Sequence, residues 1–219
     1  MTDRQESLPI KSLIMGPALV TLAVTLLRLV GELQNWSPRF FSREAGGAGA
    51  IVGIVWLAPI FGIYFAMKLA RIAPPAATGK AVGNALLGTV VGIGIAFGIG
   101  SLLKTNQNLQ FLVALVGMIL GAAIAYLGWP ALGKTLLAYG LAARIPVIIV
   151  MLVAIMANWG THYDVVPPNF PAMGTFAKWF MIGVIPQLFA WIPFTIISGA
   201  LFGTAAVALT GKARQPVTA

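Results

Sequence analysis

The chain has 219 residues, of which 59% are hydrophobic and only 9% are charged, and its mean hydropathy is +0.92. Soluble domains carry about 25% charged residues, so this composition excludes a water-soluble globular protein and predicts an integral membrane protein. The formal net charge is +9, but the Lys and Arg residues are scattered singly between apolar runs, which excludes the basic stripe of a nucleic-acid-binding protein.

Six apolar runs are long enough to cross a bilayer, since a helix needs roughly 20 residues to span the hydrocarbon layer. We therefore predict an all-α polytopic bundle in a single transmembrane domain covering residues 1–219. The first run lacks a small-residue cleavage site, which favours a retained helix over a signal peptide. We expect the protein in a bacterial-type inner (plasma) membrane. The predicted spans are 10–33, 49–72, 82–103, 109–129, 132–159 and 179–209.

The distribution of basic residues predicts the orientation, because positively charged loops stay on the cytoplasmic side. With six spans, one side of the membrane receives eight basic residues: Arg4, Lys11, Lys68, Arg71, Lys80, Lys134, Lys212 and Arg214. The other side receives four: Arg39, Arg43, Lys104 and Lys178. Both termini are therefore expected in the cytoplasm. The loops 34–48 and 160–177 then face outward.

Small residues recur every four positions in the third predicted span and again in the fourth, a pattern that lets helix backbones approach closely in a membrane. We predict that these two spans form a tight hairpin within one subunit, rather than a pore-lining or oligomer-forming face. Gly199 and Gly203 are expected to extend this packing to the sixth span. The repeating residues are Gly88, Gly92, Ala96 and Gly100, with Gly94 and Gly98 beside them, and then Gly117, Gly121 and Ala125.

Arg28 and Glu32 are the first candidate site residues, because charges inside a membrane helix are costly and often functional. They are four residues apart, which places them on one helix face where they can pair. The pair has two interpretations that the sequence leaves open. It is either a structural ion pair near the outer surface or part of a site for a substrate or a proton.

Arg144 in the fifth span has no acidic residue within a helical turn, and Pro146 follows it. If the span begins near Leu136, Arg144 is buried and a candidate for function. If it begins at Ile145, Arg144 is an interfacial anchor, and this second interpretation is the one we favour.

Gln187 in the sixth span lies next to Pro186, with Pro193 further along, and this pattern predicts tilt or a break in the helix. A broken helix with a polar side chain can form a binding site at the middle of a membrane, and interhelical hydrogen bonding is the alternative.

The two outward loops carry most of the remaining polar chemistry. Together they are expected to line a mouth at which an anionic or zwitterionic ligand meets arginines and a titratable histidine. A solvated histidine between interfacial aromatic residues is the alternative interpretation. The candidate residues in these loops are Arg39, Arg43, Glu44, His162 and Asp164.

Several kinds of chemistry are not expected. The chain has no cysteine, and one His with scattered acidic residues does not have the spacing of a metal site. His162 and Asp164 resemble half of a hydrolase dyad, but the sequence offers no recognisable activated nucleophile. We therefore expect no catalytic residue, no metal and no cofactor.

The sequence favours a small-solute transport or solute-binding protein with an outward-facing polar site. A non-catalytic accessory or scaffold subunit of a larger membrane complex is the main alternative, based on the small-residue faces and the lack of a chemical motif. An intramembrane enzyme that acts on lipid is a third, weaker alternative. The expected partners are the lipid bilayer and either further copies of the chain or a larger membrane complex, without nucleic acid.

Overall fold

A computed structural model of the chain describes residues 9–47, 49–99, 102, 106–168 and 170–211. Within them, the secondary structure is helical, with no strand. We name the α-helices in chain order: α1 Ile10–Leu33, α2 Leu57–Ile72, α3 Thr78–Ile93, α4 Gln107–Gly128, α5 Pro130–Ala157, α6 Thr175–Trp179 and α7 Ile192–Thr210.

Six helical segments among the described residues are long and apolar enough to cross a membrane, as the sequence predicted. The chain therefore has the helices of a multi-pass membrane protein. These segments are Ile10–Leu33, Ile54–Ile72, Thr78–Gly98, Asn108–Gly128, Pro130–Ala157 and Thr175–Thr210.

Three of these segments begin four or more residues away from the predicted start, and one of them is the sixth, which begins at Thr175 rather than Trp179. The second begins at Ile54 rather than Gly49, because Gly49 has a positive φ of 78° and Gly53 is extended, so neither can continue a helix. The third begins at Thr78, before rather than after Lys80.

Helix α7 lies at the centre of the bundle, where it packs against α2, α3, α4 and α5, while α1 packs mainly on α5. The main core forms where these helices meet, and its fully enclosed side chains include Phe65, Leu132, Leu136 and Tyr139. Many outward-facing Leu, Ile, Val and Phe side chains are exposed, which is the surface expected of a protein surrounded by lipid.

The predicted glycine contact between the third and fourth spans is confirmed. A methyl group added to Gly88 would strike the carbonyl oxygen of Gly121, and one added to Gly117 would lie 2.7 Å from the Ile95 side chain. Gly94 faces open space instead, and Gly100 lies outside the described residues. The close approach between helices α3 and α4 thus occurs within one chain.

Gly199 and Gly203 have a different partner from the one expected. A side chain at Gly203 would strike the backbone of Gly62 in α2, and a side chain at Gly62 would strike the backbone of Gly199. These glycines bring α7 against α2, so the expected extension of the α3 and α4 contact is corrected. Sequence spacing identifies a small-residue face but not the helix that packs on it.

The sixth membrane-length segment is irregular in its first half. Two π-helical stretches, Phe180–Val184 and Gln187–Trp191, separate α6 from α7, and Pro186 lies between them. Proline removes one backbone hydrogen bond, and π-helical turns often occur at functional sites. The predicted break therefore takes the form of π-helical turns. In contrast, α5 runs as one helix through Pro146.

Candidate functional site

The last turn of α1 holds a buried ion pair. Arg28 donates from Nε to Glu32 Oε1 at 2.8 Å, and the Glu32 side chain is fully enclosed. The four-residue spacing places both groups on the face of α1 that also buries Thr21 and Thr25. Thr21 and Thr25 each donate a hydroxyl hydrogen bond to the carbonyl four residues earlier, so the hydroxyl hydrogens on this face are satisfied within α1.

His162 joins the loop after α5 to this ion pair. Its backbone N–H donates to Glu32 Oε2 at 2.9 Å, and its Nδ1 lies 2.5 Å from Glu32 Oε1. An ionised carboxylate only accepts hydrogen bonds, so we assign the hydrogen to Nδ1. The loop after α5 therefore contacts a carboxylate at the end of α1 that lies 130 residues earlier in the sequence.

The loop after α1 is held to the same cluster by two arginines. Arg28 Nη2 donates to the carbonyl oxygens of Ser42 and Gly47, each at 3.1 Å. Arg43 donates from Nε and Nη2 to the backbone oxygen of Glu32, with a distance of 2.8 Å for the Nε bond. That oxygen lies in the last turn of α1, where carbonyls lack helical partners and attract cations.

Asp164 organises its own loop and does not contact His162. Its carboxylate accepts from the backbone N–H groups of Gly160, at 2.9 Å, and Thr161, at 2.7 Å, and from the Thr161 hydroxyl at 2.7 Å. Tyr163, the residue before Asp164, packs its ring against the His162 ring at a tilt of 42°. Its hydroxyl donates to the Thr25 carbonyl at 3.2 Å. Asp164 thus shapes the turn that presents His162 and Tyr163 to α1.

We expect an alanine substitution at Gly47 to destabilise the protein more than one at Gly46. Both glycines have positive φ angles, 72° and 74°, which cost an alanine about 1 kcal/mol. A methyl group at Gly47 would also lie 2.9 Å from His162 and 3.0 Å from Arg28, whereas one at Gly46 would meet nothing within 4 Å. The added crowding predicts a further ~1–3 kcal/mol for Gly47→Ala. Equal thermal shifts for the two purified variants would contradict this packing.

Burial lowers the pKa of His162 below its ordinary value, and the nearby Arg28 acts in the same direction, while the hydrogen bond to Glu32 opposes them. Asp164 on the same loop also favours the protonated form, by charge. Burial raises the pKa of Tyr163, so its hydroxyl stays protonated at neutral pH. His162 is therefore neutral at pH 7 and donates to Glu32 as an uncharged ring.

Stability is expected to fall as the pH drops below 6.5, the ordinary pKa of histidine. Below that pH the unfolded chain binds a proton at His162 before the folded chain does, so acid favours unfolding until the pH passes the lower pKa of the folded state. Above 6.5 the effect is absent, because the residue is neutral in both states. Melting temperatures between pH 8 and pH 5 measure this, and His162→Gln is expected to reduce the slope. An unchanged slope in that variant would contradict the assignment.

Beside this cluster lies a cavity of about 690 Å³, within the range of about 300–1,000 Å³ typical of ligand sites. It reaches from the two loops to the middle of α5. On one side it is lined by Pro167, Pro168 and Pro171 of the loop after α5. Most of its lining is apolar, with aromatic and methionine side chains prominent. The polar groups among the lining residues include Arg28, Arg144, His162 and Gln187.

Arg144 is the most unusual group in this cavity. It lies 14 residues after Pro130 and 13 before Ala157, so it is about 20 Å from either end of α5. It is 5% exposed. The expectation that Arg144 is an interfacial anchor is therefore wrong, because the helix begins well before this residue and buries it.

The partners of Arg144 are weak ones for a buried cation. Nη1 donates to Gln187 Oε1 at 3.3 Å, and the guanidinium carbon lies 5.0 Å from the centre of the Trp191 ring. Nε is buried without a hydrogen-bond partner, and no carboxylate pairs with Arg144 among the described residues. Gln187 and Trp191 both belong to the second π-helical stretch, so the irregular helix supplies the groups that face this arginine.

The remaining candidate residues from the sequence lie outside the cavity lining. Glu32, Arg43 and Asp164 are buried or half-buried behind it and hold the two loops together. Arg39 and Glu44 are exposed on the loop after α1. Tyr163 and Trp191 also line the cavity, although neither was predicted as a site residue. For Trp191, its position four residues after Gln187 was the signal that could have identified it.

Comparisons of the chain with protein-family models, with curated proteins and with solved structures find no match.

Proposed function

We propose that this chain is a small-solute transport or solute-binding protein of a membrane, and that the solute occupies the cavity beside Arg144. The observation that carries the proposal is a buried, uncompensated guanidinium facing a cavity at the middle of a membrane-length helix. Charges at such positions are rare and mark substrate or ion pathways. The π-helical break opposite Arg144 supports the same function, because interrupted helices form binding sites in transporters.

The proposal includes an orientation and a location. Eight basic residues on the side of the termini, against four on the cavity side, favour cytoplasmic termini and a cavity that opens outward. The bacterial-type inner membrane fits a helical bundle with this charge distribution. In this arrangement the Glu32–His162 contact lies beside the cavity on its outer side and joins the loop after α5 to the end of α1.

The observations that favoured an accessory subunit are weaker once the contacts are known. That alternative depended on small-residue faces available to partner chains, but several of these glycines already pack within this chain, as Gly88 does on Gly121 and Gly62 on Gly199. The lipid-enzyme alternative depended only on the presence of His162 and Asp164 near the membrane interface. Of these two residues, Asp164 hydrogen-bonds to Gly160 and Thr161.

Purification in a mild detergent followed by a thermal-shift screen tests the proposal. The chain is expected to be stable as a monomer or small homo-oligomer, and at least one class of small solute, whether anionic, cationic or neutral, is expected to raise its melting temperature by several degrees. A matched variant, Met151→Trp, places bulk in the cavity and is expected to abolish that rise. A chain that folds only with a partner protein, and that no solute class stabilises, would contradict the proposal.

A further inference from the structure

We propose that the cavity selects a monoanionic organic carboxylate with an apolar body, and that Arg144 binds the carboxylate group. This inference rests on the proposed function and specifies its solute. It begins from the two arginines that line the cavity, which differ in whether a nearby acidic group compensates their positive charge.

The charge of Arg28 is compensated and that of Arg144 is not. Arg28 pairs through Nε with Glu32 at 2.8 Å, and its Nη2 donates to two backbone oxygens. The acidic residues of the described chain are Glu32, Glu44 and Asp164, and none of them reaches Arg144. Because His162 is neutral, the cavity holds one uncompensated positive charge, which matches a single negative charge on the solute.

One edge of the Arg144 guanidinium has no hydrogen-bond partner among the described residues. Nη1 is used by Gln187, while neither Nε nor Nη2 has a hydrogen-bond partner among the described residues. Nε and Nη2 form the parallel pair of donors that binds both oxygens of a carboxylate. Gln187 accepts from Nη1, and the guanidinium carbon lies over the Trp191 ring, 5.0 Å from its centre, so these contacts leave the Nε and Nη2 donors unused.

The rest of the lining favours an apolar body on the solute. Phe111, Met151, Tyr163, Phe170 and Trp191 surround the cavity, and the prolines of the loop after α5 close one side. A small hydrophilic anion such as inorganic phosphate would leave these surfaces uncovered. A dianion would also bring a second negative charge that this cavity does not neutralise.

The experiment compares matched probes on the full chain in nanodiscs of neutral phosphatidylcholine. The probes are 4-phenylbutyrate and octanoate, their neutral amides, and inorganic phosphate, and binding is measured by calorimetry and by melting temperature. The carboxylates are expected to bind at least tenfold more tightly than the amides. Phosphate is expected to bind no better than the amides. This comparison within the unmodified protein needs no variant.

Variants then assign the preference to Arg144. Arg144→Gln is expected to remove the preference for carboxylates, and Arg144→Lys, which keeps the charge without the two-donor edge, to reduce it by about tenfold. Arg71→Gln removes the same charge from an exposed position at the end of α2, outside the cavity lining, and is expected to bind as the unmodified chain does.

Three outcomes would overturn the inference, and they differ in what they mean for the proposed function. Equal binding of carboxylates and amides would leave a solute-binding cavity without anion selectivity, so the proposed function would stand. Stabilisation by phosphatidylglycerol nanodiscs that depends on Arg144, with no binding of free carboxylates, would assign the site to a lipid headgroup. No binding of any probe or screened solute class would overturn both proposals.

Discussion

Replacing Glu32 with glutamine is expected to lower the free energy of unfolding by about 3–5 kcal/mol, because it leaves Arg28 buried without a counter-charge. The same change replaces the acceptor of the His162 ring and backbone N–H groups with an amide of only one acceptor atom. The contact between the two loops is therefore expected to loosen together with the ion pair. Denaturant or thermal unfolding of the purified protein measures the change.

Glu44→Gln is the matched control for this prediction. It removes a carboxylate from the same loop region, but Glu44 is exposed and forms no ion pair among the described residues. Its effect on stability is expected to be within about 0.5 kcal/mol. If both variants unfolded at the same denaturant concentration as the unmodified chain, the Glu32 cluster would not hold the loops.

Replacing Arg144 with methionine is expected to stabilise the protein, in contrast to the Glu32 variant, and to raise the free energy of unfolding by about 1 kcal/mol. Placing an arginine at the centre of a membrane helix costs about 2.5–3.5 kcal/mol on insertion scales. The contact with the Trp191 ring returns about 2 kcal/mol of this cost. The hydrogen bond to Gln187 is long, at 3.3 Å, and adds little. Methionine fills similar space without a charge, so the protein is expected to gain stability while it loses its solute.

Arg28→Met provides the comparison for Arg144→Met. Both arginines line the cavity and are nearly buried, at 8% and 5% exposure. Removing Arg28 leaves the Glu32 carboxylate without its cation, so this variant is expected to be destabilised by about 3–5 kcal/mol. A loss of more than about 1 kcal/mol in Arg144→Met would instead make Arg144 a structural residue.

The sequence predicted the parts of this protein that depend on local pattern. Apolar run length identified the six membrane-length helices, since it depends only on helix rise and bilayer thickness. The four-residue spacing of Arg28 and Glu32 predicted their pairing in the same way. The glycine spacing of α3 and α4 predicted a close approach, and adjacency along the chain gave the correct partner.

The parts that the sequence did not predict depend on contacts between distant segments. Arg144 was assigned to the interface because Pro146 resembled a helix start, but proline is tolerated inside a membrane-length helix when neighbours satisfy the freed carbonyl. Gly199 packs on Gly62, which lies in a helix far away in the sequence. The sequence grouped Arg39 and Glu44 with the site; both side chains are exposed on the loop after α1 and lie outside the cavity lining, so their part in a site stays a prediction.

The His162 contact with Glu32 shows the same limit within the site. The sequence placed both residues near one predicted surface, but only the folded loop after α5 brings the ring to the carboxylate. The Asp164 carboxylate fixes that loop through three short-range hydrogen bonds from Gly160 and Thr161, a local turn role that the sequence did not predict when it grouped Asp164 with the mouth of the site.

The charge of the cavity is tested most directly by thiol modification at a single introduced cysteine. The chain has no native cysteine, and Met151 lines the cavity on the same helix as Arg144, so Met151→Cys reports on this space alone. The rate of modification is compared for anionic and cationic methanethiosulfonate reagents of similar size. We predict that the anionic reagent reacts at least tenfold faster and that adding Arg144→Gln removes the difference. Equal rates for the two reagents, or faster reaction of the cationic one, would contradict a cavity that attracts anions.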